Sequence, residues 1–125
     1  MKKDITDRND IEALVNLFYT KVKNDDILKH FFKKVSWEKH LNVMYNFWEN
    51  AIFYTGSYVG NPMNVHQHLH QKMPLSELDF ERWIYLFMES TDELFTGEKA
   101  KLIKHRAISI ATVMKLKIIE ENTVQ

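Results

Sequence analysis

Six histidines are spread through 125 residues, and one of them, His66, lies between two sets of apolar, aromatic residues. It sits in Gly60-Asn61-Pro62-Met63-Asn64-Val65-His66-Gln67-His68-Leu69-His70. Upstream come Phe18-Tyr19, Phe31-Phe32, His40 and Phe47-Trp48, and downstream comes Trp83 within Phe80-Glu81-Arg82-Trp83-Ile84. A neutral imidazole is a good ligand for iron. Large rings line flat apolar sites, and Tyr19, His40 and Trp83 each add a polar hydrogen to an otherwise apolar face. One nitrogen ligand, an apolar slot for a macrocycle and hydrogen-bond donors opposite the ligand are what a haem pocket requires.

The same histidines admit other chemistry. On a helix His66 and His70 share a face and His68 points elsewhere. Such a pair binds zinc when one or two further ligands join it. No cysteine is present to do so, and Glu77 and Asp79 belong to the cap of the next helix. On a strand all three histidines would share a face, but the periodicity around them is helical. His30 and His105 lie among lysines or beside arginine and read as exposed. The plain alternative is a helical domain with surface histidines, in which Tyr19, His40 and Trp83 are ordinary packing.

The elements that must position these residues read as all-α. Three glycines and two prolines are too few for a fold built on tight β-turns. A first helix is predicted over about Asp10 to Lys23, with Ile11, Leu14, Val15, Phe18 and Val22 at helical spacing and Asn9 with Glu12 as a cap pair. Tyr19 falls on the same face. A short second helix carries Ile27, Leu28, Phe31 and Phe32. Ser36 then caps a third helix to about Tyr54, with a stripe of Trp37, Leu41, Met44, Trp48 and Ile52 that lets His40 point inward. A loop from Thr55 to Pro62 follows, its two glycines available for positive φ. A helix from about Met63 to Gln71 carries His66 and ends before Pro74. Ser76 and Asp79 cap a helix to about Phe95, and Gly97 separates it from a last one that buries Ala100, Ile103, Ala107, Ile110, Ala111 and Met114. The tail from Glu121 reads as frayed. A single domain over residues 1–125 is expected, without repeats or linkers.

Composition removes several function classes. Lys plus Arg equals Asp plus Glu at 17 each, so the chain lacks the basic surplus expected of a nucleic-acid binder. Without cysteine there is no disulfide, no iron–sulfur cluster, no thiolate-ligated haem and no Cys-x-x-Cys-His attachment, so any haem is held non-covalently. No window approaches the ~20 apolar residues of a membrane span. The first residues, Met1-Lys2-Lys3-Asp4, lack the apolar run of a secretory signal. The expectation is a cytoplasmic protein with no membrane partner. Near-neutral charge and an amphipathic pattern that closes on itself point to a monomer.

The chain resembles the truncated haemoglobins, specifically the third, bacterial group. The resemblance runs nearly end to end and rests on Phe18-Tyr19, Trp37-x-x-His40 and Phe47-Trp48. It continues through Tyr58-x-Gly60-x-Pro62-x-x-x-His66-x-x-Leu69 and Phe80-x-x-Trp83-x-x-Leu86-Phe87. It closes with Asp92-Glu93-x-Phe95-x-Gly97 and Ala107-x-x-Ile110-Ala111-x-x-Met114. Asp79-Phe80 stands where the family often has His-Phe. The resemblance implies a truncated globin-like fold, two antiparallel helix pairs sandwiching one haem b. It implies that His66 is the proximal iron ligand, favoured over His70 by its spacing from Pro62. Tyr19 would be the distal hydrogen-bond donor, and His40 would occupy the distal histidine position. Trp83 would line the distal pocket, Phe32 would pack on the porphyrin, and Met44 would face the haem on the distal side. Phe47 and Trp48 complete the expected haem-binding set.

That constellation implies reversible binding of dioxygen, nitric oxide or carbon monoxide. Donors from Tyr19 and Trp83 are each worth about 0.5–1.5 kcal/mol, and 1.4 kcal/mol is tenfold in affinity. Slow ligand release follows, together with a need for a reductase to keep the iron ferrous. The alternative is a haem enzyme with peroxidase-like or nitric-oxide-detoxifying activity. A peroxidase usually places a carboxylate on its proximal histidine, and none is evident beside His66. A haem-free helical interaction module is a third reading, disfavoured by the aromatic load of 13%.

Overall fold

The structure, a computed structural model, describes residues 2–58 and 60–120. Five α-helices form: α1 (Arg8–Lys23), α2 (Trp37–Phe53), α3 (Pro62–Lys72), α4 (Glu77–Leu94) and α5 (Glu98–Lys115). A 3₁₀ turn, Lys29–Phe32, precedes α2, and a π turn, Leu116–Glu120, extends α5. Among the described residues extended pairing is confined to one isolated bridge between Lys3 and Phe95. The all-helical expectation holds.

Cross-helix contacts fix the directions. Arg8 meets Glu49, Tyr45 meets Asn16, and Tyr19 lies against His40, so α2 runs back along α1. Lys104 pairs with Asp92 and Lys115 with Glu77, so α5 runs back along α4. The two antiparallel pairs meet where α1 packs on α4 and α2 on α5. The core at that crossing includes Leu14, Phe18, Trp48, Ile52, Phe87 and Ile103, each almost wholly buried. Burying such side chains contributes roughly 1.5–3 kcal/mol apiece. Five edge-to-face or stacked contacts tie Phe18, Trp48, Trp83 and Phe87 into one cluster.

The boundaries differ from the sequence reading in four places. The first helix starts at Arg8 because Asp7, rather than Asn9, is its cap and accepts from the Asp10 N–H. The short second helix is a single 3₁₀ turn, since Asp25 accepts from the N–H groups of both Ile27 and Leu28 and bends the chain tightly there. Ser36 stands at the N-cap position of α2, but its side chain makes no capping bond. Gly56 takes a positive φ of 74°, yet so does a non-glycine, Tyr54 at 57°, which ends α2 in a left-handed cap. The capping box of Ser76 and Asp79 forms as expected. The tail expected to fray, Glu121–Gln125, lies outside the described residues. Among the described residues no helix is long and apolar enough to cross a membrane.

The start of α5 depends on the far end of the chain. Gly97 offers no side chain as its cap. Instead the Asp4 carboxylate accepts from the backbone N–H groups of Lys99 and Ala100, each at 2.9 Å. Gly97 has φ 133°, and a Cβ there would stand 2.6 Å from Asp4 Cγ. Glycine satisfies both demands.

Candidate functional site

His66 is placed by a well-formed helix start. The Asn61 side chain caps α3 by accepting from the Asn64 N–H, and Pro62 occupies the first turn, where its missing N–H costs nothing. One turn on, His66 Nδ1 lies 2.7 Å from the Pro62 carbonyl oxygen. A carbonyl only accepts, so Nδ1 carries the proton and the lone pair of the neutral ring is on Nε2. His70 is set the opposite way. The Leu75 backbone N–H donates to its Nδ1 at 2.8 Å, so in the neutral ring the proton is on Nε2. His68 is exposed on another face. Among the described residues no three His, Asp or Glu side chains converge as metal ligands, which leaves the His66 and His70 pair without a third.

Opposite α3, α1 and α2 build an aromatic box. Tyr19 is buried, and its ring meets Phe32 at 5.9 Å, Trp37 at 5.6 Å and His40 at 4.9 Å, all edge to face. Phe32 and Trp37 stack at 5.6 Å with planes 21° apart. Burial pushes the Tyr19 hydroxyl pKa upward, with no hydrogen bond opposing it, so the phenol keeps its proton and remains a donor. Burial also lowers the pKa of His40, and the nearness of His66 lowers it further. His40 is therefore neutral at pH 7.

His40 Nε2 is buried and has no hydrogen-bond partner. A buried polar atom left this way costs about 1–3 kcal/mol, which points to a partner supplied by something bound. The donor set fits haem. His66 offers an imidazole lone pair, His40 lies near enough to His66 to feel its charge and meets the Tyr19 ring, and Phe32 flanks both Tyr19 and His40. Met44 and Phe47 are half-buried beside the core, and Phe47 meets Tyr58 edge to face at 5.1 Å. Trp83 is half-buried and joins the two apolar clusters. Trp48 stands further back, 2% exposed and stacked on Phe87.

His30 and His105 are exposed, as expected. Trp37, expected as a stripe residue and as part of the Trp37-x-x-His40 motif, is not among the expected site residues, although its three-residue spacing from His40 places it on the same face and in the box. The pairing of Asp25 with Arg82, 2.7 Å apart, pins the turn bearing Phe32 to the helix bearing Trp83. Fifty-seven residues separate the two, and no local pattern announces the pair.

Three comparisons identify what this chain is similar to. The family model described as bacterial-like globin matches residues 3–118. The group 3 truncated hemoglobin ctb of Campylobacter jejuni is 30% identical over 118 residues, covering 90% of this chain and 91% of that protein. The crystal structure of group III truncated hemoglobin from Campylobacter jejuni superposes with a TM-score of 0.87 at 28% identity, over 97% of this chain and 98% of that one.

Proposed function

We propose, from the premise that this chain belongs to the bacterial-like globin family and is a haem-binding globin, that it holds haem b non-covalently through His66 and binds diatomic gases with slow release. Haem, when bound, would supply an iron that takes up a diatomic gas. The observation that carries the assignment is the 2.7 Å bond between His66 Nδ1 and the Pro62 carbonyl, which orients the ring and leaves Nε2 as the ligand atom. Phe32, Met44 and Phe47 supply apolar surface for the macrocycle, and Trp48 backs that wall. Tyr19 and Trp83 would donate hydrogen bonds to a bound gas, and neutral His40, whose Nε2 is buried without a partner, would offer that atom to it.

The same bond weighs against a dedicated peroxidase. His66 donates to a carbonyl rather than a carboxylate, so it lacks the proximal carboxylate partner that such enzymes favour. Reversible binding of dioxygen, nitric oxide or carbon monoxide by a cytoplasmic monomer, kept ferrous by a reductase, is the fuller reading. The experiment is the optical spectrum of protein expressed with haem, ferric and then ferrous with carbon monoxide, for the parent chain and His66→Ala. A Soret band that shifts with carbon monoxide and is lost or badly perturbed in the variant is expected. No Soret band in the parent after added haemin would overturn the haem reading, and an unperturbed variant would overturn His66.

A further inference from the structure

A concavity adjoins the aromatic box through Phe32 and Trp37. It has a volume of about 260 Å³ and is lined by Lys23, Lys29, Lys33, Phe32 and Trp37. Three ammonium-bearing side chains thus share one pocket with the stacked rings of Phe32 and Trp37. Its lining includes neither His40 nor His66.

The charges there are under-compensated. Lys29 pairs with Asp26 at 2.9 Å. Lys23 has its Nζ 4.3 Å from the Trp37 ring centroid. Among the described residues neither Lys23 nor Lys33 forms an ion pair, whereas Lys21, on the same helix as Lys23, is held by Glu89 and Glu93. In a chain of zero net charge, cations gathered without matching carboxylates are a local attraction for anions. The volume limits what fits. It exceeds the ~30 Å³ share of a single water and falls just short of the ~300–1,000 Å³ of sites for drug-sized ligands.

We propose that this pocket is a binding site for a small multivalent oxyanion of the phosphate class, held by Lys23, Lys29 and Lys33 against the Phe32–Trp37 wall. The anion replaces the ring as the partner of Lys23 and shares Lys29 with Asp26. Ammonium groups suit this ligand because each is a point charge with three rotatable donors.

The test is calorimetric titration of the haem-loaded protein with pyrophosphate and with inorganic phosphate at constant ionic strength. One-site saturable binding is expected, with pyrophosphate the tighter. Lys23→Gln/Lys33→Gln should weaken it at least tenfold, while the equal charge change Lys101→Gln/Lys104→Gln on α5 should leave it unaltered. Absence of saturable binding by the parent, or equal weakening by both double variants, would overturn the site. Binding that emerges only after reconstitution with haem dimethyl ester would also overturn it, because the pocket would then belong to the haem's own carboxylates. The unchanged Soret band of each variant separates these outcomes from failure of the haem reading.

Discussion

The Leu75 backbone N–H donates to Nδ1 of His70 over 2.8 Å, the reverse of the bond that His66 makes through its own Nδ1. To ligate iron through Nε2, His70 would have to move its proton to Nδ1 and confront the Leu75 N–H with a second donor. The tautomers therefore separate two histidines that helical spacing alone leaves equivalent. His70→Ala is expected to retain a parent-like Soret band and carbon monoxide shift. It should lose only about 0.5–1.5 kcal/mol of stability for the unpaired Leu75 N–H. Spectra and denaturant melts of the two alanine variants check this, and a lost Soret band in His70→Ala would reverse the assignment.

Tyr19 is buried in ring contacts on three sides, and its pKa is raised, so it stays a protonated donor across the working pH range. Removing the hydroxyl leaves those ring contacts in place. Tyr19→Phe is expected to release dioxygen about tenfold faster, the equivalent of ~1.4 kcal/mol, with little change in melting temperature. Stopped-flow release kinetics measure it. An unaltered off-rate would remove Tyr19 from the set of donors.

How much of this could be read from the chain follows from the range of the forces. Periodicity reports which face of a helix is buried, so the stripes of α1, α2, α4 and α5 and the inward position of His40 were evident. The Ser76 and Asp79 capping box is three residues long and equally evident. Tautomers were not, because the partner of His66 is a carbonyl and that of His70 an N–H, and neither depends on residue type. Also hidden were Asp4 capping α5 from 95 and 96 residues away and Asp25 reaching Arg82. Both are carboxylates whose local sequence promises only a turn. The lysine pocket gathers residues from α1 and the following turn, and its shape exists only once Phe32 and Trp37 have stacked.

Asp25 is 6% exposed at its side chain and accepts from Ile27 N, Leu28 N and Arg82 Nε. Its removal strands two backbone donors and one guanidinium. Arg82 is 35% exposed and can turn to water when its partner is lost. Asp25→Ala is therefore expected to cost about 1–3 kcal/mol and Arg82→Ala less. Thermal melts should show a fall of several degrees for the first. The reverse order would mean that the carboxylate does not organise the turn.

Asp4 provides a pH test of the α5 cap. Partial burial raises its pKa, but hydrogen bonds from the N–H groups of Lys99, Ala100, Ile5 and Glu98 more than offset this and leave it below the ordinary 3.8. A carboxyl whose folded pKa is depressed contributes stability that is fully present above its unfolded pKa. That contribution is lost as pH falls through the folded value. Asp4→Asn keeps the shape and one acceptor oxygen but abolishes the titration. At pH 7 the parent should be the more stable by about 0.5–1.5 kcal/mol, the scale of the one backbone hydrogen bond that the asparagine cannot accept. That gap should narrow steadily as denaturant melts are taken from pH 5 toward pH 3 and below. A gap that stays constant with pH would show that the contribution of Asp4 does not depend on its charge, leaving shape alone to hold the start of α5.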